Sequence, residues 1–177
     1  CCLINMADGY DVLSLALAAP TLTKEWGVAP QMLGIAFSST SVGLVLGAFL
    51  VAPIADRVGR RSVVLWALVI ITIAHWCLAI SNSIWMVAAL RFGMGVGLGT
   101  LVVSLNVMVA EFSNERMRNV LLGILHTGFS LGMAVSGATA ALLLEPFGWR
   151  YIFVGGGVLN IVVLLFAIVF LLESPEY

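Results

Sequence analysis

Three charged side chains stand where charge is expensive. Asp8 and Asp11 lie in one long apolar run of the sequence and Arg91 lies in another. At bilayer depth such groups are costly unless paired or facing water, and by default they mark ion and substrate pathways. Asp8 and Asp11 are three apart, so on a helix they share one face. The chemistry open to these residue types is narrow. A guanidinium attracts an anion. A carboxyl group takes up and releases a proton, with an affinity that burial raises and a nearby cation lowers. An anion engaging Arg91 would weaken an Arg91–aspartate pair and let a proton load with it, which is symport. The plainer alternative is a static ion pair that fixes one helix against another.

The remaining polar residues in apolar sequence are weaker signals. Asn5 and Ser14 accompany the aspartates, and Ser104 and Asn106 follow Arg91. His126, Thr127 and Ser130 form a further polar patch. Each can line a cavity or bridge two helices. Tyr10, Ser104 and His126 are the candidate cavity-lining residues, with a helix-bridging role favoured for His126. His75, beside Trp76, is expected to be an interfacial anchor near the outer surface.

What must position these residues follows from composition. Of 177 residues, 62% are hydrophobic and 10% charged, and mean hydropathy is +1.12. A soluble domain carries roughly a quarter of its residues charged, so this chain must face a lipid bilayer. A net charge of -1 argues against nucleic acid as a partner. Cys1, Cys2 and Cys77 show neither a disulfide framework nor metal-ligand spacing. No cofactor is implied beyond a proton as coupling ion. The absence of His-Glu-x-x-His and Gly-x-Ser-x-Gly elements argues against an intramembrane enzyme. The chain starts without Met, shows no cleaved signal peptide, and reads as truncated at both ends.

A spanning helix needs roughly 20 mostly apolar residues. Polar breaks at 21–31, 55–61, 81–83, 111–119 and 145–150 leave six spans, at about 1–20, 32–54, 62–80, 84–110, 120–144 and 151–172. The fold class is therefore an all-α membrane protein, a six-helix bundle forming one domain over 1–177. Arg57, Arg60, Arg61, Arg116 and Arg118 lie in the second and fourth breaks, against Lys24 and Arg150 opposite. That bias puts those two breaks and the N-terminus in the cytoplasm. At 1.5 Å per residue, Asp11 and Asp8 lie about 14 and 18 Å from Pro20, and Arg91 about 11 Å from Ile84. All three sit at similar depth if the first and fourth spans are neighbours.

Small residues indicate close packing. Gly43/Gly47, Gly93/Gly97, Gly95/Gly99 and Gly128/Gly132 are four-residue pairs that let backbones approach in lipid. Trp26, Trp85 and Trp149 suit an aromatic belt near the outer interface. Asp56-x-x-Gly59-x-Arg61 after the second span matches Glu145-x-x-Gly148-x-Arg150 after the fifth, on the other side of the membrane. An inverted three-plus-three repeat would leave such a pair, and two unrelated polar turns would also account for it.

The stretch Ala52-Pro-Ile-Ala-Asp56-Arg57-Val-Gly59-Arg60-Arg61 resembles the signature loop of the major facilitator superfamily. Arg91-Phe-Gly-Met-Gly95-Val-Gly97-Leu-Gly99 resembles that superfamily's fourth-helix motif, and Glu111-Phe112 with Arg116 and Arg118 its matching loop. Gly148-Trp149-Arg150 and Glu173-Ser174-Pro175 fit the ends of its fifth loop and sixth helix. Within it, Asp8-Gly9-Tyr10-Asp11 is similar to a motif of the aromatic acid:proton symporters. The resemblance implies that the first and fourth helices line a central cavity, bringing Asp8, Asp11 and Arg91 together. It implies a cytoplasmic latch of Asp56, Arg57, Gly59, Arg60, Arg61 and Glu111. It also implies twelve helices, so this chain reads as an amino-terminal half lacking its C-terminal partner half, in the inner (plasma) membrane. Three departures stand out: Ala52 for a usual glycine, Asn114 for a proline, and Val103-Ser104 for a frequent Pro-Asn pair.

The expected function is proton-coupled uptake of an aromatic or other organic carboxylate by alternating access. A sugar-acid or sialate-like substrate is the second carrier reading. A non-transporting receptor or scaffold on the same fold is the reading from another class.

Overall fold

In lipid a chain must satisfy its backbone polar groups internally, and a helix does so within one segment. The computed structural model of the protein describes residues 1–27, 29–51, 54–55 and 58–171. Among them are α1 (Cys2–Trp26), α2 (Pro30–Leu46), α3 (Arg60–Ala79), α4 (Ile84–Glu111), α5 (Arg118–Phe147) and α6 (Arg150–Phe170). Six helical segments are long and apolar enough to cross a membrane, and the chain is a multi-pass membrane protein. Ala52, Asp56, Arg57 and the tail residues Glu173, Ser174 and Pro175 lie outside the described residues.

Three boundaries differ from the hydropathy reading. First, α1 continues past Pro20 to Trp26. A proline inside a helix forfeits one backbone bond, but packing carries the helix on. Leu22 is fully buried, and the Trp26 ring meets Trp149 edge-on at 5.3 Å. Second, α5 runs through Pro146 to Phe147. Third, α2 ends early in a π-helical turn, Gly47–Val51. The wider turn sits where a Cβ on Gly47 would overlap the Val96 carbonyl, so the backbone there passes close to that of α4.

The tightest helix pairs are α1 with α5 and α2 with α4, while α3 packs on α4 and α6. Glycines make both pairs. A Cβ on Gly9 would overlap the Phe129 carbonyl, and one on Gly132 the Met6 carbonyl. Across the other pair, Gly95 faces the Thr40 carbonyl and Gly43 faces that of Phe92. Exchanging α1–α3 with α4–α6 turns one set into the other. Gly43 and Gly132 stand at the same sequence spacing as Thr40 and Phe129, and as Gly59 and Gly148. Gly9 and Gly95 stand at the same spacing as Met6 and Phe92. Three crossings separate the units, so they run in opposite senses through the bilayer. The repeat suggested by two polar turns is thus a repeat of helix packing, and it is inverted.

Gly59 (φ 96°) and Gly148 (φ 87°) occupy matched places in the turns before α3 and α6. That backbone region disfavours every residue with a Cβ.

Candidate functional site

On α1 the buried residues include Ile4, Ala7, Asp8, Asp11, Ser14, Leu15, Ala18 and Leu22. This is one stripe at helical spacing, so the aspartate face of α1 turns into the bundle. Gly9 on that helix lets α5 close over it. Asp11 is 0% and Arg91 1% exposed.

Arg91 reaches Asp11, but not through its carboxylate. Nη1 donates to the Asp11 main-chain oxygen at 2.9 Å, and Nη2 donates to Ser14 Oγ at 2.9 Å. The Ser14 hydroxyl donates in turn to the Asp11 main-chain oxygen at 2.8 Å. The planar fork of arginine suits two such acceptors side by side. The guanidinium carbon also lies 5.4 Å from the centre of the Phe153 ring, over its face. The direct Arg91–aspartate pair expected from sequence is therefore replaced by three neutral contacts. The guanidinium stays beside the acid without a hydrogen bond to its carboxylate.

The Asp11 carboxylate points instead toward α3 and α6. Asn160 Nδ2 donates to Oδ1 at 3.2 Å and to the Gly156 carbonyl at 3.0 Å. His75 Nε2 lies 3.2 Å from the same Oδ1, off the axis an aligned hydrogen bond needs. Asp11 Oδ2 has no hydrogen-bond partner among the described residues. Asp8, one turn away and 2% exposed, has no hydrogen-bond partner at either carboxylate oxygen among the described residues. In a region that excludes water, unpaired acceptors of this kind call for an explanation.

His75 is thus not an interfacial anchor. It is fully buried, whereas Trp76 is 41% exposed. Val64, Leu68, Ile71, His75 and Leu78 form the buried stripe of α3, and His75 sits on it while its neighbour faces out. Tyr10 is 1% exposed and donates its hydroxyl to the Ile152 carbonyl at 2.8 Å, bridging α1 to α6. Ser104 is buried further along α4, with no partner for its hydroxyl among the described residues. His126, Thr127 and Ser130 are exposed on the open side of α5. Trp149, expected in an aromatic belt, is 1% exposed.

Two residues were missed by sequence reasoning, Asn160 and the inward role of His75. Asn160 follows the run Gly155, Gly156 and Gly157. A Cβ on Gly156 would lie 2.5 Å from His75 Nε2 and 2.9 Å from Tyr10 Cε1. The glycines are the space the ring occupies. A glycine run one turn before the single amide of an apolar span was the readable signal.

The ends of the bundle carry matched fastenings. Arg60 Nη2 meets Glu111 Oε1 at 2.9 Å, and Arg61 Nη2 donates to the Ile168 carbonyl at 2.8 Å. At the other end Trp149 Nε1 donates to Glu25 Oε2 at 2.5 Å, and Arg150 Nη2 donates to the Ser81 carbonyl at 3.2 Å. Glu25 and Glu111 have the same spacing as Gly9 and Gly95, so the repeat relates these contacts too. Of the latch residues named from the resemblance, Gly59, Arg60, Arg61 and Glu111 are therefore placed together at one end. An apolar cavity of about 300 Å³ lies at that end, lined by residues including Met108, Phe112 and Leu125. It does not reach Asp8, Asp11, His75 or Arg91.

Comparison with known proteins agrees with this architecture. The family model described as Major Facilitator Superfamily matches residues 1–177. The 4-hydroxybenzoate transporter PcaK of Pseudomonas aeruginosa is 35% identical over 176 residues, covering 99% of this chain and 39% of that protein. The gallate transporter of Pseudomonas putida is 32% identical over 164 residues, covering 93% of this chain and 36% of that protein. The inward-open structure of the xylose transporter XylE from E. coli superposes with a TM-score of 0.85 at 19% identity, covering 99% of this chain and 47% of that one. The chain spans less than half the length of these relatives.

Proposed function

The chain belongs to the Major Facilitator Superfamily, and from that membership we propose that it is the amino-terminal half of a proton-coupled carrier for an aromatic carboxylate. The observation that carries the reading is the state of Arg91. It is buried beside Asp11 and Asp8 yet bonded only to neutral acceptors. A desolvated guanidinium with no carboxylate hydrogen-bonded to it attracts one, and its planar fork fits one. The relatives described above are transporters of 4-hydroxybenzoate and gallate, substrates that carry that group.

The proposed cycle divides the work among the cluster. Asp11 and Asp8 take up the coupling proton. Arg91 supplies the positive field for the substrate anion. Loading both leaves the net charge of the half unchanged, which lowers the cost of moving the occupied site against lipid and the partner half. Arg60, Arg61 and Glu111, with Asp56 and Arg57, form the latch that stabilises the outward-open state. The arginine-rich end faces the cytoplasm of the inner membrane, with the N-terminus on the same side.

The test is uptake of labelled 4-hydroxybenzoate by cells making the full-length protein, with and without a protonophore. Accumulation that the protonophore abolishes is expected. Accumulation that survives it removes proton coupling, and its absence for every carboxylate offered removes the substrate class.

A further inference from the structure

We propose that His75 and Asp11 hold the coupling proton jointly, between Nε2 and Oδ1, so that His75 is a positioning residue for proton loading. The inference deepens the carrier reading above and rests on it for its transport consequences.

The imidazole has an acceptor on each side. Nδ1 lies 3.2 Å from the Ile71 carbonyl, and Nε2 lies 3.2 Å from Asp11 Oδ1. A neutral imidazole carries one N–H. With that hydrogen on Nδ1, where only a carbonyl is in reach, Nε2 carries a lone pair 3.2 Å from a carboxylate oxygen. Both groups are 0% exposed, so no solvent separates the two lone pairs. One proton resolves the conflict, whether it is bonded to Nε2 or to Oδ1. Taking it up joins one proton from solution to the pair and raises its charge by one. Releasing it is the reverse, with no other bond made or broken.

Three further observations support the assignment. Among the described residues neither Nε2 nor Asp11 Oδ2 has an aligned partner, whereas the large majority of buried polar atoms have one. Asn160 Nδ2 donates to the same Oδ1 and is fixed by the Gly156 carbonyl, so it holds the carboxylate toward the ring. Gly156 leaves the ring its space, since a Cβ there would lie 2.6 Å from Cδ2. The charged and titratable groups around the pair are Arg91 on α4 and Asp8 and Tyr10 on α1. Of these, Arg91 is in contact with the Phe153 ring that also faces His75, with centroids 6.4 Å apart. Asn160 on α6 is neutral.

The experiment uses purified full-length protein in two readouts. The first is the pH-difference infrared spectrum without substrate. A carboxylic-acid band that Asp11→Asn removes should shift its titration midpoint by about one pH unit in His75→Gln, a tenfold change in proton affinity. The second is transport in proteoliposomes. His75→Gln should move the pH profile of gradient-driven 4-hydroxybenzoate uptake by a similar amount and leave substrate exchange within about twofold. Gly156→Ala crowds the ring without removing it and should shift the midpoint too, which covers the case of a His75 variant that does not fold. A midpoint unmoved in the folded variants overturns the shared proton, whatever transport shows. Uptake by the unaltered protein that ignores the proton gradient overturns the carrier reading instead, and the infrared midpoint still decides the proton pair.

Discussion

Arg91→Lys is the substitution from which most can be learned. The guanidinium makes two hydrogen bonds, to the Asp11 main-chain oxygen and to Ser14 Oγ, each 2.9 Å, and lies over Phe153. A lysine ammonium is a point donor on a flexible stem and cannot hold both acceptors in a fixed plane. It loses one charge-assisted bond, about 1.5–3 kcal/mol, and part of a desolvated cation–π contact, about 1 kcal/mol. The sum of about 2.5–4 kcal/mol corresponds to roughly a 70- to 1,000-fold loss if the same geometry is needed to carry substrate. Ser14→Ala removes one of the two bonds and should cost roughly tenfold. Because Ser14 and Arg91 belong to one network, their effects should not add. Arg91→Lys combined with Ser14→Ala should be no worse than Arg91→Lys alone. The assay is the initial rate of labelled 4-hydroxybenzoate uptake, normalised to membrane protein by immunoblot. Near-normal uptake in Arg91→Lys at normal membrane levels would refute the anion-site reasoning. Full additivity with Ser14→Ala would refute the network.

Other consequences can be checked in the same system. Asp8→Asn should leave membrane levels and substrate exchange intact while abolishing gradient-driven accumulation, because Asp8 has no bond to lose; retained accumulation excludes it from the proton path. Gly43→Val and Gly132→Val, which stand at repeat-related backbone contacts, should lower the thermal stability of the purified protein by similar amounts. Gly93→Ala and Gly137→Ala, whose added Cβ meets nothing within 4 Å, should not lower it, and equal losses across all four would contradict the packing. Trp149→Phe should cost at least about 1 kcal/mol of stability, the typical net worth of the hydrogen bond it loses, plus the packing its smaller ring gives up beside Trp26, and Glu25→Gln in that background should add little. For Asp56→Asn the expected outcome is slower turnover with substrate affinity nearly kept; a pure affinity loss would count against a latch.

How much of this was legible depends on the kind of signal. The six spans were readable because lipid demands long apolar runs. Their ends were not, since Leu22 and Trp26 hold α1 together beyond a proline that local rules treat as a stop. Asp8, Asp11 and Arg91 were conspicuous because charge in apolar sequence has few explanations. The partners of that charge were harder to read. In a span apolar on every side, periodicity does not separate a lipid-facing position from a buried one, so the sequence alone reads His75 outward with Trp76. The main-chain oxygen that Arg91 uses has no letter in the sequence. The inverted repeat showed itself only as one pair of turns, because most of it is written in which glycine meets which carbonyl.

Those glycine contacts bear on how the half can deform. Where side chains interdigitate, a small displacement is absorbed by rotamer changes. Where backbone lies on backbone, as between α1 and α5 and between α2 and α4, nothing is available to rotate. Within these pairs, shear has no rotamer change to absorb it. The helices α3 and α6 pack through longer side chains, with the His75 ring seated at Gly156 and Trp76 against Gly157. A change of charge at Asp11 is thus felt where α1, packed backbone to backbone on α5, meets the side-chain contacts of α3 and α6.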